Sequence, residues 1–242
     1  MTKRYDWILF DADDTLFSFD SFVGLKSMFE SYKYEFSKDN FNEYQLLNKA
    51  LWVELQKGNI TQMELLHRRF EPWASKLNAS RKALDKWAPE VSAEELNNAF
   101  LDSMALTSAP LEGTLNLLKA IKGKAKLGII TNGFTRVQQA RLKHLGLTEY
   151  FEILVISEQV GVAKPNSGIF DCAFSQMGNP HRSRILMVGD TLESDIQGGI
   201  NSGLDTCWLN VHNKPIPESM TPTYEVFSLQ ELEVLLVGKI EK

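Results

Sequence analysis

Tyr5-Asp-Trp-Ile-Leu-Phe-Asp11-Ala-Asp13-Asp14-Thr15 is the stretch from which the rest of the chain is read. Its apolar half is short, continuous and rich in strand formers, the pattern of a parallel strand buried on both faces. It stops abruptly at carboxylates, as such a strand does where its end meets a site. Beyond Pro110 similar runs recur, each followed by helical spacing. A helix is expected over 112–121, a strand over 125–131, and a helix over 134–145 closed by Gly146. Further strands are expected over 152–157, 184–189 and 205–209, with helices after Lys164-Pro165, over 194–201, and from the capping box Ser228-x-x-Glu231. Strands alternating with helices predict a parallel sheet covered on both faces.

Residues 20–99 follow another rhythm. Met63, Leu66, Phe70, Trp73, Ala74 and Leu77 fall at helical spacing, and Thr61-x-x-Glu64 and Ser92-x-x-Glu95 mark helix starts. No strand pattern lies between Phe22 and Phe100. The reading is therefore an α/β fold: a Rossmann-like parallel sheet core from 1–19 and 100–242, with an inserted all-helical domain over 20–99. The closely spaced Gly198-Gly199 lacks the lysine and hydroxyl of a phosphate loop, and reads as close packing of a helix on the sheet.

Composition narrows the function. The 242 residues are 43% hydrophobic and 24% charged, an ordinary globular balance. Lys+Arg 26 against Asp+Glu 31 gives a net charge of −5, which argues against a nucleic acid polymer as partner. Apolar runs such as Trp7–Phe10 are far shorter than the ~20 residues of a membrane span. Cys172 and Cys207 form no CxxC, and the expected compartment is the reducing cytoplasm. His67, His144, His181 and His212 show no metal spacing.

The expected strand ends gather an unusual set of polar groups. The first carries Asp11, Asp13 and Thr15, the second Thr131-Asn132-Gly133, and a later one Gly189-Asp190-Thr-Leu-Glu-Ser-Asp195; Lys164 precedes a helix between them. In an open parallel sheet all of these lie on the edge where ligands bind. Taken singly, the Asp cluster points only modestly to a site over a solvated turn, Lys164 reads as a surface lysine and Asp195 could be a helix-start charge. Together they place carboxylates where burial is costly unless cations neutralise them.

In this order, DADDT (11–15), TNG (131–133), KP (164–165) and GDTLESD (189–195) resemble the four motifs of the haloacid-dehalogenase (HAD) superfamily of phosphohydrolases. The helical insert is similar to that superfamily's C1-type cap. One position departs: the usual glycine before the motif threonine is Asp14. More narrowly, FDADDTLFSFDSF (10–22), IITNGFTRVQQARL (129–142) and VISEQVGVAKPNSGIFD (155–171) resemble bacterial pyrimidine 5′-nucleotidases active on deoxyuridine and thymidine monophosphates.

The resemblance implies a phosphoric monoester hydrolase with a nucleoside monophosphate, or another small phosphate ester, as substrate. By it Asp11 is the nucleophile and Asp13 the general acid and base, two roles that suit carboxylates on one loop. Mg²⁺ is implied as cofactor, held by Asp11, the Asp13 backbone carbonyl and Asp190, an oxygen donor set of the kind Mg²⁺ takes. Thr131 and the amides of Asn132-Gly133 would hold the phosphate oxygens, Lys164 would offset charge, and Asp195 would orient Asp190 or Lys164. Half of the 14 phenylalanines lie within residues 10–41, and of these Phe17 and Phe19 are offered as rings that stack on a base. A sugar-phosphate or phosphoglycolate phosphatase and a phospho-acceptor receiver switch are the alternatives. The first motif and the insert weigh against the switch, and Asp13 weighs against dehalogenation.

Overall fold

The computed structural model describes residues 5–85, 87 and 89–238. Its strands are β1 Trp7–Phe10, β2 Lys126–Thr131, β3 Ile153–Ile156, β4 Ile185–Gly189, β5 Asp205–Leu209 and β6 Tyr224–Val226. They form one sheet in the order β3-β2-β1-β4-β5-β6, parallel at every pairing. Phe10 registers against Ile129 on one side and Val188 on the other. β1 is therefore where the strand order reverses, which opens a crevice at the carboxyl ends of β1, β2 and β4.

Side chains alternate across this sheet, and each face has its own core. Ile8, Phe10, Leu186 and Val188 pack on one side with Leu117, Leu118 and Ile121 of helix α6 (Thr114–Ile121), Leu142 of α7 (Thr135–His144) and Leu232 of α11 (Leu229–Val237). Trp7, Leu9, Ile185 and Met187 pack on the other with Ile169, Phe170 and Phe174 of α9 (Ser167–Gln176). The short helices α8 (Ser157–Val160) and α10 (Gln197–Asn201) complete this unit. A β-carbon on Gly198 would come 2.7 Å from the Phe170 ring, and one on Gly199 2.6 Å from Thr206, so the glycine pair does let α10 pack closely.

The chain divides into two compact units, Met1–Phe19 with Ser108–Lys242, and Asp20–Thr107. The expected outer limits at 1 and 242 lie outside the described residues. The second unit contains α1 Ser21–Ser31, α2 Lys38–Gln56, α3 Gln62–Arg68, α4 Glu71–Leu84 and α5 Ala93–Thr107. Both capping boxes form: Thr61 Oγ1 accepts from Glu64 N at 3.2 Å, and Ser92 Oγ from Glu95 N at 3.1 Å. Helix α5 runs unbroken through position 99, because Phe100, Leu101, Met104 and Ala105 continue its buried face. Phe29 and Phe36 stack at 4.7 Å with Trp73 edge-on to Phe36, so these phenylalanines build the unit's core. No described helix is long and apolar enough to cross a membrane.

Three elements differ from expectation. Ser157, expected to end a strand, instead opens the short helix α8. β6 is three residues long and follows a segment with three prolines, too short to show a period. The helix expected over 194–201 starts earlier, as a wide π-helical turn over Leu192–Ile196 that continues into α10.

Candidate active site

Asp11 extends the ladder of β1 by donating its backbone N–H to Val188 O at 2.8 Å, which sets its side chain at the carboxyl edge of the sheet. The loop then folds back, with Leu16 and Phe17 N–H groups both donating to Ala12 O at 3.0 Å. Leu16 and Phe17 are fully buried and anchor it. Asp14 takes a left-handed conformation, φ 57°. That conformation favours glycine and is tolerated by Asp, so Asp14 can stand where glycine is usual. Its carboxylate accepts from Phe19 N at 3.2 Å, which fixes the exit of the loop.

Lys164 is buried at the centre of the site. Its Nζ donates to Asp11 Oδ1 at 2.5 Å and Ile130 O at 2.7 Å, and pairs with Asp195 Oδ1 at 2.8 Å. The ammonium's three donors are thus matched by three acceptors. Asn132 holds the lysine's backbone in both directions, accepting from Lys164 N at 2.8 Å and donating to Lys164 O at 3.0 Å. Asp195, fully buried, also accepts from Thr191 N at 3.0 Å and Ser194 Oγ at 3.1 Å. A β-carbon on Gly189 would lie 2.2 Å from Asp195 Oδ2. Gly189→Ala is therefore expected to push Asp195 off Lys164 and cost about 1–3 kcal/mol by overpacking, read as a lowered urea midpoint.

Asp190 leaves β4 alongside. Its carboxylate accepts from Thr15 Oγ1 at 3.1 Å and Thr191 Oγ1 at 3.3 Å, and its carbonyl accepts from Trp208 Nε1 at 2.8 Å. Carboxylate oxygens of Asp11, Asp190 and Asp195 all lie within 4.8 Å of one another. Three acids thus crowd together, and the one ammonium pairs with two of them, Asp11 and Asp195. Burial pushes the Asp11 carboxyl well above its ordinary value; Lys164 opposes this, and Asp195 and Asp13 add to it. Asp190 is raised by burial and then by Asp195. Burial works against the charged form of Lys164, but Asp11 and Asp195 outweigh it and hold its pKa above the usual lysine value. The surplus of negative charge and the all-oxygen donor set suit a hard divalent cation.

The Asp13 carboxylate is held by side chains of α7. Gln138 Nε2 donates to Oδ2 at 2.9 Å, and Arg141 NH2 stands 2.7 Å from Oδ1. Thr131 Oγ1, at the end of β2, accepts from Gly133 N at 3.1 Å. The structure thus brings Asp11, Lys164, Asp190 and Asp195 into one cluster, with Asp195 touching Lys164. The Asn132 side chain is committed to the Lys164 loop. Thr15, named with the first strand end, joins them through Asp190, and Gln138, Arg141 and Trp208 complete the surroundings although no sequence signal marked them. Phe17 is buried with its ring 5.2 Å from the Arg141 guanidinium, which rules out base stacking by that ring; Phe19 is 46% exposed. An open cleft of about 620 Å³ runs from Asp14 and Asp190 past Trp208 and His212.

Sequence and fold comparisons agree with this arrangement. A family described as haloacid dehalogenase-like hydrolase matches residues 5–203. The pyrimidine 5′-nucleotidase YjjG of Escherichia coli K12 is 56% identical, over 96% of this chain and 98% of its own. The pyrimidine 5′-nucleotidase PynA of Streptococcus pneumoniae is 32% identical, over 94% and 93%. Among solved structures, the HAD-hydrolase YfnB of Bacillus subtilis, determined with bound magnesium, superposes with a TM-score of 0.77 at 30% identity, covering 97% of this chain and 99% of that one. With the motif carboxylates gathered at the strand ends and relatives alike over nearly their whole length, the chain belongs to the haloacid dehalogenase-like hydrolase family, and its helical unit is the family's cap region.

Proposed function

We propose that the protein is a phosphatase of nucleoside 5′-monophosphates, preferring pyrimidine deoxynucleotides such as dUMP and dTMP, and that it works in the cytoplasm. The observation that carries this reading is its near-full-length similarity to two pyrimidine 5′-nucleotidases. In the proposed reaction an Asp11 oxygen attacks phosphorus, the bond to the nucleoside oxygen breaks, and Asp13 supplies the proton to the leaving alkoxide. Asp13 then takes a proton from the water that attacks the aspartyl-phosphate, releasing inorganic phosphate and restoring the Asp11 carboxylate. Thr131 Oγ1 and the backbone amides of Asn132 and Gly133 bind the non-bridging oxygens. Lys164 orients Asp11 and offsets phosphate charge, and Asp195 holds Lys164 in place.

Mg²⁺ would be held by the side chains of Asp11 and Asp190 and the Asp13 backbone carbonyl. When bound it supplies positive charge against which a carboxylate and a phosphate dianion can meet. Phe19 is the exposed ring of the entry segment and the one proposed to stack on the base.

The test is steady-state kinetics of the purified protein on nucleoside monophosphates and on sugar phosphates. Activity is expected to vanish in EDTA and return with Mg²⁺, and kcat/KM to be higher for dUMP and dTMP than for dAMP and dGMP. Phe19→Ala should narrow that preference, since stacking is worth roughly 1–3 kcal/mol per base. Equal turnover of purines, pyrimidines and sugar phosphates would reject the nucleotidase reading.

A further inference from the structure

Arg141 and Gln138 are buried polar side chains for which the reaction as written has no use. The inward stripe of α7 consists of Val137, Gln138, Arg141 and Leu142, so half of it is polar. Arg141 is fully buried, and a buried cation is costly unless paired. Its partners are few and specific. NH1 donates to Gln138 Oε1 at 3.2 Å, and NH2 lies 2.7 Å from Asp13 Oδ1. Gln138 in turn donates to Asp13 Oδ2 at 2.9 Å. Asp13, Gln138 and Arg141 therefore close a triangle in which each side chain touches the other two.

The surroundings make room for that triangle. A β-carbon on Gly133 would lie 2.5 Å from Gln138 Nε2 and 3.3 Å from Asp13 Oδ2, so glycine here keeps the bridge open. The Phe17 ring backs the guanidinium. Arg141 Nε and NH2 and Asp13 Oδ1 are all buried without a hydrogen-bond partner, so the guanidinium meets Asp13 as a close ion pair and is not placed to satisfy the core around it. Packing alone would be served as well by an apolar side chain, since replacing a buried ion pair with one is often neutral or stabilising. What the pair does accomplish is geometric. An aspartate carboxylate turns easily about its last bond, and here a hydrogen bond on Oδ2 and the Arg141 charge 2.7 Å from Oδ1 restrain its plane.

We propose that Gln138 and Arg141 are positioning residues that hold the Asp13 carboxylate at the angle from which it serves the leaving oxygen. This rests on the reading of Asp13 as the proton donor, and the experiment separates the two. Proton transfer demands a heavy-atom distance of about 2.6–3.2 Å, and it matters most when the leaving group is a poor one. The readout is the rate of leaving-group release in the first turnover, for dUMP with its alkoxide leaving group and for 4-nitrophenyl phosphate with its stable phenolate. Gln138→Met, which keeps the length and loses the donor, is expected to slow release from dUMP about tenfold while leaving the nitrophenyl ester within about threefold. Substrate KM should change little. Arg141→Lys, which keeps the charge and loses the fork, should show the same split to a smaller degree. Asp13→Asn should show the largest split.

Parallel losses on both substrates in Gln138→Met would mark a merely structural role and overturn the proposal, as would no loss on either. If Asp13→Asn shows the split and Gln138→Met does not, positioning fails while the proton-donor reading stands. If Asp13→Asn itself shows no split, both fall.

Discussion

Replacing Asp11 with asparagine is expected to lower turnover of a nucleoside monophosphate by at least about 10⁴-fold, the scale seen when a nucleophile is removed, and at the same time to make the metal-free protein more stable. The loss follows because an amide cannot form the aspartyl-phosphate. The gain follows from charge. Burial and the neighbouring Asp195 and Asp13 raise the Asp11 pKa in the folded chain against the opposing pull of Lys164. A group whose folded pKa is raised contributes stability that is complete below its unfolded value and is lost as pH rises through the folded value. At neutral pH, above its unfolded value, the raised Asp11 carboxyl is therefore a cost, and asparagine removes it. The amide oxygen can still accept from Lys164, which also retains its pair with Asp195 at 2.8 Å. For a chain of this size 1 kcal/mol is worth about 2–4 °C. Thermal scans in EDTA should show Asp11→Asn melting several degrees above the parent at neutral pH, with the gap closing toward acid pH. Saturating Mg²⁺ should raise the parent by ligand linkage and the variant much less. A variant that melts with the parent at every pH would show that Asp11 carries no such strain.

Much of this was legible in the sequence because it is local. A buried strand must be apolar on both faces, so Trp7–Phe10 announced itself, and the carboxylates that followed had to stand at its end. The capping boxes at Thr61 and Ser92 are read over four residues, and they formed as read. What escaped was set by contacts across long stretches of chain. Gln138 meets Asp13 across 125 residues, and nothing near either residue states that they touch. The available signal was negative: two polar side chains on the inward stripe of α7, where a helix of this kind carries apolar ones. Phe17 misled for the same reason. Its place beside the nucleophile suggested the cleft, but exposure depends on what folds over it, and here it lies buried against Arg141. Asn132 shows a third kind of gap. The amides of Asn132 and Gly133 were expected at the phosphate, but nothing near Asn132 announced that its side chain closes on the backbone of Lys164, 32 residues away.

Lys164→Met should damage fold and activity together, through one cause. The ammonium is buried between Asp11 at 2.5 Å and Asp195 at 2.8 Å, and Asp190 lies close by. Methionine matches its length and fills its space, so the substitution leaves little cavity and removes chiefly charge. The carboxylates left behind would face one another without a counter-ion. Breaking a buried pair from one side costs about 3–5 kcal/mol, which at about 2–4 °C per kcal/mol lowers Tm by roughly 6–20 °C in EDTA. A packing defect would cost the same at every pH, but this one should not. Without Lys164 the cause that opposes the raised Asp11 pKa is gone, so the carboxyl binds its proton more tightly still in the folded chain. Stability is then recovered as pH falls and lost as it rises, and the gap from the parent should narrow steadily toward acid pH. Pairing the substitution with Asp195→Asn should likewise cost less than the two single losses added together, because both act on one buried charge balance. Thermal melts of the parent, both single variants and the double variant across pH would decide it: a gap that stays constant with pH, or losses that simply add, would mean that Lys164 fills space and does not balance the acids around it.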